Sequence, residues 1–404
     1  MNETVELTVD RPAQGGRMIA RLATHGSRSG PGEVVLVAGA IPGERVRARI
    51  TERRQGVVFA ETMDVLEASP DRREPPFDPL CGGNLLAHVA YPRQLELKRE
   101  ILADAFRRQA RLALDTLPPI TGSPETGYRM RARLHLAGGR IGFYRERTRD
   151  VCDPARTGQL SAGAVDVIEQ ASAAYAPHAD AIDVLVLAEN VAATERALDV
   201  IPKPGKIIPD DFSRLIPGVT DREVIDEQLP GGATLQRHAA SFFQGNRFLL
   251  SALVTRVCDA AGVGNLADLF AGVGLFAVEA ASRGAEVIAV ESDPISSRDL
   301  TRNLAPFGLS ARAVHEPVEG WLASRRSVPE TVIVDPPRAG LSPDARRRLI
   351  DTKPEKIVYV SCDPVTLARD VKDFIGVGYR LTTLEALDLF PNTPHVESLA
   401  VLMV

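Results

Sequence analysis

The chain has 404 residues, which is too long for one ordinary domain and predicts two or three. Its composition, with 44% hydrophobic and 25% charged residues, is that of a soluble globular protein, and the absence of any apolar run of about 18 residues predicts no transmembrane helix. The net charge of −5 does not by itself indicate a nucleic-acid-binding protein, so the distribution of charge matters more than its sum.

The N-terminus and the cysteines bear on the cellular setting. The first ten residues lack the basic start and apolar core of a signal peptide. Cys81, Cys152, Cys258 and Cys362 lie far apart in sequence and do not form a disulfide-scaffold pattern. Both observations favour a reducing, cytoplasmic setting.

The first half of the chain divides into three regions. Short β-like runs punctuated by Gly and Pro fill residues 1–66 and predict a small five-stranded barrel. Residues 67–120 begin as a Pro-rich connector and continue in a helical stretch from about Tyr91 to Ala110. Residues 121–235 mix strands and helices, and we interpret them as a central domain that handles the substrate.

The most basic segment is residues 129–149, which hold seven arginines against one acid, Glu146. Arg129, Arg131 and Arg133 alternate, so a strand would present all three on one face. Such a face suits phosphate oxygens, but a solvated strand edge that is kept basic against aggregation explains it equally well. The segment alone leaves both interpretations open.

Residues 236–404 alternate apolar strands with helices, which is typical of a doubly wound parallel α/β sheet. Residues 379–404 differ, because they read as two adjacent strands that we predict to form an antiparallel hairpin. The predicted fold class is therefore α/β: a Rossmann-like sheet, an N-terminal β-barrel and a mixed α+β central domain.

The first motif with chemical meaning is Asp268–Phe276, D-L-F-A-G-V-G-L-F, where a strand enters a glycine-bearing turn and a helix leaves it. Gly272 and Gly274 let the backbone approach a ligand at the carboxyl end of the strand. The next strand ends at Glu291, whose carboxylate can accept both hydroxyls of a ribose. This combination resembles class I S-adenosylmethionine (SAM) methyltransferases, and a generic nucleotide-binding or structural α/β domain is the alternative.

Two further strands end in acidic or nucleophilic side chains. Asp335, in V-D-P-P-R-A-G, faces the same crevice, where it either contacts a ligand or caps the following loop. Cys362 ends the next strand, and Asp363 and Pro364 suit the N-cap and first position of a helix. A helix N-terminus favours thiolate, so Cys362 is a candidate nucleophile, although most lone cysteines are buried and inert.

Two weaker signals flank these strands. S-F-F-Q-G-N opens the helix before the sheet, and its Gln244 could reach a cofactor. F-P-N-T-P-H-V-E places His395 and Glu397 after a Pro-bound loop. If the last strand pairs beside the strand of Cys362, Glu397 returns to the same edge, where a carboxylate could act as general base. Taken alone, that motif is also consistent with an ordinary surface loop.

Together the motifs resemble those of the RNA uracil-C5-methyltransferase family, which makes 5-methyluridine in tRNA and ribosomal RNA. S-F-F-Q-G-N, D-L-F-A-G-V-G, V-E-S-D, V-D-P-P-R-A-G, V-S-C-D-P-x-T-x-A-R-D and F-P-N-T-x-H-V-E occur in family order across residues 241–397. Residues 1–66 resemble the TRAM module of that family, an RNA-binding fold of the oligonucleotide-barrel type. Residues 127–135, G-Y-R-M-R-A-R-L-H, look like the start of its central domain.

The resemblance implies a role for individual residues, with Cys362 as the nucleophile and Glu397 as the base. The positions implied for SAM binding, including the glycines of the turn, are Gln244, Phe270, Gly272, Gly274, Glu291 and Asp335. The candidates for holding RNA are the barrel and Arg129, Arg131, Arg133 and Arg338. Leu275 stands where the family often has Asn, and a polar residue is replaced near Pro317, so these two contacts are not carried over.

One branch of the family holds a [4Fe–4S] cluster through C-x5-C-G-G-C and a later Cys. Here Cys81 keeps the frame, but Pro75 and Asn84 replace two ligands, and Thr157 rather than Cys152 stands at the later place. Such clusters ordinarily take four cysteine ligands, so we predict no metal and no cluster.

In the chemistry that the resemblance implies, a thiolate adds to C6 of a flipped-out uracil, C5 takes the methyl group of SAM, and a base removes the C5 proton. We therefore expect a monomer that methylates one uridine of tRNA or ribosomal RNA. An RNA cytosine-C5 methyltransferase would normally show Pro-Cys where Pro336-Pro337 stand. A non-catalytic RNA-binding factor with a retired methyltransferase domain is the alternative from another class, and the barrel argues against a small-molecule methyltransferase.

Overall fold

The computed structural model describes residues 3–22, 32–137, 139–145, 148–208, 216–220 and 223–404. No helix in these ranges is long and apolar enough to cross a membrane.

The N-terminal strands close into a barrel because buried and exposed residues alternate along them. Leu7, Val35, Ala48 and Val58 are among the buried residues that form its core. Neighbours pair in the order β1-β2-β3-β5-β4, which confirms the predicted five-stranded barrel. The strands are β1 (Thr4–Pro12), β2 (Met18–Leu22), β3 (Glu33–Ala38), β4 (Arg45–Arg54) and β5 (Val57–Glu67).

The outer face of the barrel is charge-balanced along β4. Its arginines point to solvent, and four of the five are paired with carboxylates of the barrel. The pairs are Arg45 with Glu6 and Glu67, Arg47 with Asp64, Arg49 with Glu61, and Arg53 with Glu3 and Glu33. These four cations are therefore already neutralised within the barrel.

Two elements link the barrel to the rest of the chain. Helix α1 (Tyr91–Ala105) continues as a π-helical turn over Phe106–Ala110, so the helical stretch predicted from Tyr91 to Ala110 is present with a change of winding. A short strand, β6 (Ile120–Thr121), follows.

The central domain is an antiparallel sheet in the order β11-β10-β7-β8-β9, packed against one helix. Its elements are β7 (Arg131–Ala137), β8 (Arg140–Tyr144), β9 (Val151–Cys152), α2 (Ala162–Tyr175), β10 (Ile182–Glu189) and β11 (Arg196–Pro202). A separate hairpin follows, formed by β12 (Val224–Gln228) and β13 (Thr234–His238). This domain has both strands and helix, as predicted.

The C-terminal sheet has the order β16-β15-β14-β17-β18-β20-β19-β6. Its parallel strands are β14 (Asn265–Leu269), β15 (Glu286–Glu291), β16 (Ala311–His315), β17 (Thr331–Val334) and β18 (Lys356–Ser361). The last two, β19 (Arg380–Leu387) and β20 (Glu397–Met403), form the predicted antiparallel hairpin, with β20 inserted beside β18.

Helices cover both faces of this sheet, as a doubly wound fold requires. Successive residues of β14, Leu266 and Ala267, belong to cores on opposite faces, so the strand is apolar on both sides. The helices are α3 (Leu250–Ala261), α4 (Leu275–Ser282), α5 (Pro294–Leu304), α6 (Val318–Ala323), α7 (Pro343–Thr352) and α8 (Pro364–Gly376).

A buried ion pair fastens α1 to the loop between β19 and β20. Lys98 and Asp388 pair with both side chains fully buried. Lys98 Nζ also donates to the carbonyl oxygen of Phe390 at 3.0 Å, and the Tyr91 hydroxyl donates to Asp388 Oδ2 at 3.0 Å. Two residues after Phe390, Asn392 exchanges two hydrogen bonds of 2.9 Å with the Gln94 side chain. The connector helix therefore sets the path of the loop that leads to Glu397.

Cys81 and Cys152 form a disulfide with Cα atoms 5.8 Å apart. The spacing of the cysteines therefore does not support the predicted reducing setting, because two cysteines that are distant in sequence form a disulfide in the fold. The bond ties residues 78–84 to β9, and Asn84 beside it donates to the carbonyl oxygen of Thr157 at 3.3 Å. This donor set does not fit a [4Fe–4S] cluster, since Cys81 is the one thiol of that frame and its sulfur is bonded to Cys152.

Removing Lys98 should destabilise the fold strongly. Lys98→Ala leaves the Asp388 carboxylate buried and unpaired, which costs about 3–5 kcal/mol. Urea denaturation measures the loss, and Arg107→Ala, which breaks an exposed pair with Asp104, is the matched control and should change stability by less than about 1 kcal/mol. Equal losses in the two variants would contradict this account of the loop.

Reducing the disulfide should also lower stability. A disulfide closing a sequence separation of 71 residues contributes about 2–4 kcal/mol, so a phosphine reductant should lower the Tm of the wild type. The control is the double variant Cys81→Ser/Cys152→Ser, whose Tm should not respond to reductant. The account fails if the untreated protein, denatured without reductant, titrates as four free thiols.

Candidate active site

The register between β18 and β20 sets Cys362 against Glu397. Ser361 pairs with Ser398, so the next residue on each strand takes a facing position. Facing residues of antiparallel strands have Cα atoms about 4.5–5.5 Å apart. Glu397 is close enough for its charge to act on the Cys362 thiol. The structure therefore brings both candidate catalytic residues to one sheet edge.

Cys362 lies between the end of β18 and the start of α8. Asp363 is the N-cap predicted from the sequence, because its Oδ1 accepts the backbone N–H groups of Val365 and Thr366 at 3.0 and 2.9 Å. Pro364 occupies the first turn, also as predicted.

The prediction of a thiol biased toward thiolate is wrong for this state of the protein. Burial, with the charges of Glu397 and Asp335, raises the pKa of Cys362 to about 11, and Arg338 opposes the rise through its charge and a hydrogen bond. Two backbone N–H groups at the start of α8 already donate to the Asp363 carboxylate, so they do not act on the Cys362 sulfur alone. The N-cap and helix start are present as predicted, but burial and the acids of other strands outweigh their effect on the thiol.

Arg338 is the cation of this edge. It follows Pro336-Pro337 and donates to the ring of His395, with 3.1 Å between Arg338 Nη2 and His395 Nε2. Burial and the charge of Arg338 lower the pKa of His395 to about 4, so the ring is neutral. Sequence reasoning named Arg338 only as an RNA contact, and the structure places it beside the Cys362 thiol.

Asp370 holds the loop of Arg338 in place, and the sequence analysis missed it. Its fully buried carboxylate accepts hydrogen bonds from the Tyr359 hydroxyl at 2.7 Å, the Leu341 backbone N–H at 2.9 Å and Arg346 at 2.6 Å. The sequence signal that could have identified Asp370 is its place as the final Asp of V-S-C-D-P-x-T-x-A-R-D, about two helical turns after Cys362.

Glu291 is fixed at the crevice by the turn after β14. Its Oε2 accepts the backbone N–H of Gly272 at 2.8 Å, and its Oε1 accepts those of Ser292 and Asp293 at 2.7 Å. Gly272 has φ +56°, and a Cβ built there would meet nothing within 4 Å, so the turn opens onto free space. A ligand has room to approach this backbone, and the predicted contact of Glu291 with a ribose stays a prediction.

The remaining predicted cofactor positions gather around the same turn. Gln244, Phe270, Gly272 and Asp335 line one small cavity of about 30 Å³. Gln244 Nε2 donates to Asp335 Oδ2 at 3.1 Å, while burial raises the pKa of Asp335 to about 7. Gly274, at φ +96°, caps α4 from the left-handed region, and Leu275 is the buried first residue of that helix.

Asp268 lies at the base of the turn and is fully buried. Neither of its carboxylate oxygens has a well-formed hydrogen bond to the described residues, and burial raises its pKa well above the usual range. A buried carboxyl beside an open glycine turn and the anchored Glu291 carboxylate fits a nucleoside-bearing, cationic cofactor such as SAM.

The three alternating arginines do not all reach one cleft. Arg129 and Arg133 line a cavity beside the loop of His395. Arg131 is instead largely buried, and its Nη2 donates to the carbonyl oxygen of Ala240 at 3.2 Å. Glu146 and Arg147 of the same basic segment lie outside the described residues.

Comparisons with known proteins agree with this arrangement. Residues 324–404 match the family model described as tRNA (uracil-5-)-methyltransferase, and residues 1–63 match the TRAM domain. An uncharacterized RNA methyltransferase of Streptomyces avermitilis is 32% identical over 437 residues, which cover 100% of this chain and 98% of the relative.

Two comparisons bear on the substrate class. A 23S rRNA (uracil(1939)-C(5))-methyltransferase, RlmD, of Alkalilimnicola ehrlichii is 32% identical over 99% of this chain and 96% of its own length. The crystal structure of the Pyrococcus abyssi tRNA (uracil-54, C5)-methyltransferase in complex with S-adenosyl-L-homocysteine matches with a TM-score of 0.76 and 27% identity, covering 98% of this chain and 100% of that one. The chain therefore belongs to the RNA uracil-C5-methyltransferase family, whose members are enzymes that take their methyl group from SAM.

Proposed function

We propose that the protein methylates C5 of one uridine in tRNA or ribosomal RNA through a covalent intermediate, with Cys362 as nucleophile and Glu397 as base. The observation that carries the proposal is the facing position of these residues at the carboxyl edge, with Arg338 beside the thiol. One named relative acts on 23S ribosomal RNA and one on tRNA, so both RNA classes are candidates.

Cys362 attacks C6 of the flipped-out uracil as thiolate, and Arg338 stabilises that charge. The attack moves electron density to C5, which makes C5 nucleophilic. SAM, when bound, supplies an electrophilic methyl group to C5. We assign its binding to Gln244, Phe270, Gly272, Gly274, Glu291 and Asp335.

Glu397 then removes the C5 proton, so that the C6–S bond breaks and the thiolate leaves. Burial raises the pKa of Glu397 well above its usual range, and the charge of Asp335 adds to the rise. Burial therefore disfavours the ionised form of this carboxyl, and the carboxyl must ionise during the reaction. Formation of the C–S bond removes the thiolate charge beside Glu397, which makes that ionisation easier.

In this proposal residues 236–404 carry the reaction, and residues 67–120 position the loop before Glu397. The barrel of residues 1–66 and the central domain, residues 121–235, hold the RNA. Cys362 and Glu397 come from one chain, so a monomer suffices, and an RNA substrate places the reaction in the cytoplasm.

The first test replaces the two catalytic residues. Cys362→Ala should abolish transfer of labelled methyl from SAM to RNA, because no adduct can form. Glu397→Gln should accumulate an RNA–protein adduct on a denaturing gel, because the C5 proton stays in place. Cys258→Ala, which changes a buried thiol of α3, is the control and should retain activity. Normal turnover by Cys362→Ala would end this mechanism.

The second test uses pH. Because the pKa of Cys362 is raised to about 11, the thiolate fraction grows about tenfold per pH unit near neutrality, and kcat/KM for RNA should rise from about pH 6 to about pH 9. Arg338→Ala removes the charge that lowers this pKa, so the rise of kcat/KM with pH should move to higher pH in this variant. Arg347→Ala, exposed on α7 and paired with Asp344, should leave the profile unchanged. Superimposable profiles for Arg338→Ala and wild type would contradict the role of Arg338.

A further inference from the structure

A cavity of about 360 Å³ opens between the central domain and the loop that carries His395. Arg338 and His395 line it on the catalytic side, and Arg129, His135 and Tyr144 line it on the other. Because Arg338 also contacts the Cys362 thiol, the cavity continues from the catalytic edge. Its volume lies within the range of small-ligand pockets.

The arginines that line the cavity have no acidic neighbour in its described lining, unlike the paired arginines on the barrel surface. None of the described residues that line it is acidic, and three are arginines. Arg133 is exposed, and within the described ranges no carboxylate or carbonyl accepts a hydrogen bond from its side chain. Four of the five arginines of β4, in contrast, are paired with carboxylates. An incoming phosphate can therefore bind Arg133 without breaking an existing ion pair.

The cavity also presents aromatic rings already held in place. His135 on β7 and Tyr144 on β8 stack with centroids 3.8 Å apart and planes 9° from parallel. Burial and Arg133 lower the pKa of His135, so at neutral pH its ring is an uncharged stacking surface.

Arg129 stabilises the part of the cavity wall between the His135–Tyr144 rings and the loop that carries His395. Its Nε donates to Gln159 Oε1 at 2.8 Å. Its guanidinium lies 5.6 Å from the ring centroid of Phe143 and 6.0 Å from that of Phe390. This arrangement spans from the central sheet to the loop before His395, so the pocket needs little ordering when a ligand binds.

We propose that this cavity binds a second nucleotide of the RNA, adjacent to the uridine that is methylated, with its base stacked on the His135–Tyr144 pair and its phosphate on Arg133. The inference rests on the proposed function only in taking RNA as the ligand. Base stacking on aromatic side chains tolerates any base, and it offsets the stacking that the target uridine loses on flipping out. The site selects single-stranded or loop RNA, since a paired neighbour cannot enter it.

The test probe is a short single-stranded RNA with a central uridine flanked by 2-aminopurine on both sides. Stacking quenches 2-aminopurine fluorescence, so titration with wild-type protein should give saturable quenching. His135→Ala and Tyr144→Ala should each weaken binding roughly tenfold and reduce the quenching. His135→Phe and Tyr144→Phe keep a ring and should retain both. His178→Ala, exposed in the same domain, is the matched control.

The phosphate contact has its own measurement. Arg133→Ala should reduce the slope of log Kd against log salt concentration by about one, because one fewer counterion is released. Arg140→Ala, exposed on β8 but outside the cavity, should leave the slope unchanged. Thermal melts establish that each variant is folded.

These measurements involve no methyl transfer. Cys362→Ala should therefore quench the probe like the wild type, so that failure of the covalent mechanism and failure of this site are told apart. The proposal is overturned if His135→Ala and Tyr144→Ala bind the probe as tightly as His178→Ala, or if the phenylalanine variants lose binding like the alanine ones.

Discussion

The antiparallel register of β20 against β18 is the constraint on which the catalytic edge depends. In a purely parallel sheet the carboxyl edge would hold Cys362, Asp335 and Glu291, but not the first residue of another strand. Reversal of β20 adds Glu397 opposite Cys362. A slip of one residue would turn the Glu397 side chain to the other face of the sheet. The buried Lys98–Asp388 pair stabilises that register, because it fixes the position at which the loop before β20 begins.

The same edge gathers three carboxyl groups away from bulk water. Asp268 and Glu397 are almost completely buried, Asp335 is partly buried, and burial raises the pKa of each, so their ionised forms are disfavoured. Such a cluster weakens the folded state unless cationic groups enter it. Arg338 supplies one positive charge from the protein, and a sulfonium bound at the turn after β14 would supply another. The electrostatics of the site therefore suit a cationic methyl donor better than a neutral ligand.

The strand ends could be predicted from sequence because each one lies inside a short local pattern. An apolar run followed by Asp-Pro-Pro or Ser-Cys-Asp-Pro marks both the strand and its edge, so Asp335 and Cys362 could be placed without knowing their neighbours. Contacts between distant segments produce no short local pattern in the sequence. Lys98 meets Asp388 across 290 positions, and Cys81 meets Cys152 across 71. The prediction for the pKa of Cys362 failed for the same reason, since that pKa depends on burial by the fold and on acids from two other segments, Glu397 and Asp335.

Arg131 illustrates a further limit of periodicity. Alternation along β7 assigns it the face of Arg129 and Arg133, yet Arg131 turns to the carbonyl of Ala240 and leaves the cleft to its neighbours. The period of a strand predicts a face but not what covers that face, which here depends on segments about 100 residues further along.

The central claim, that Cys362 adds to the uracil ring, is tested most directly with RNA transcribed with 5-fluorouridine in place of uridine. After methyl transfer C5 carries fluorine and methyl, so there is no proton to remove and elimination cannot occur. Mass spectrometry of the digested complex, formed with SAM, should find methylated nucleotide bonded to the peptide that contains Cys362. The absence of any adduct, or its attachment to another residue, would contradict the account.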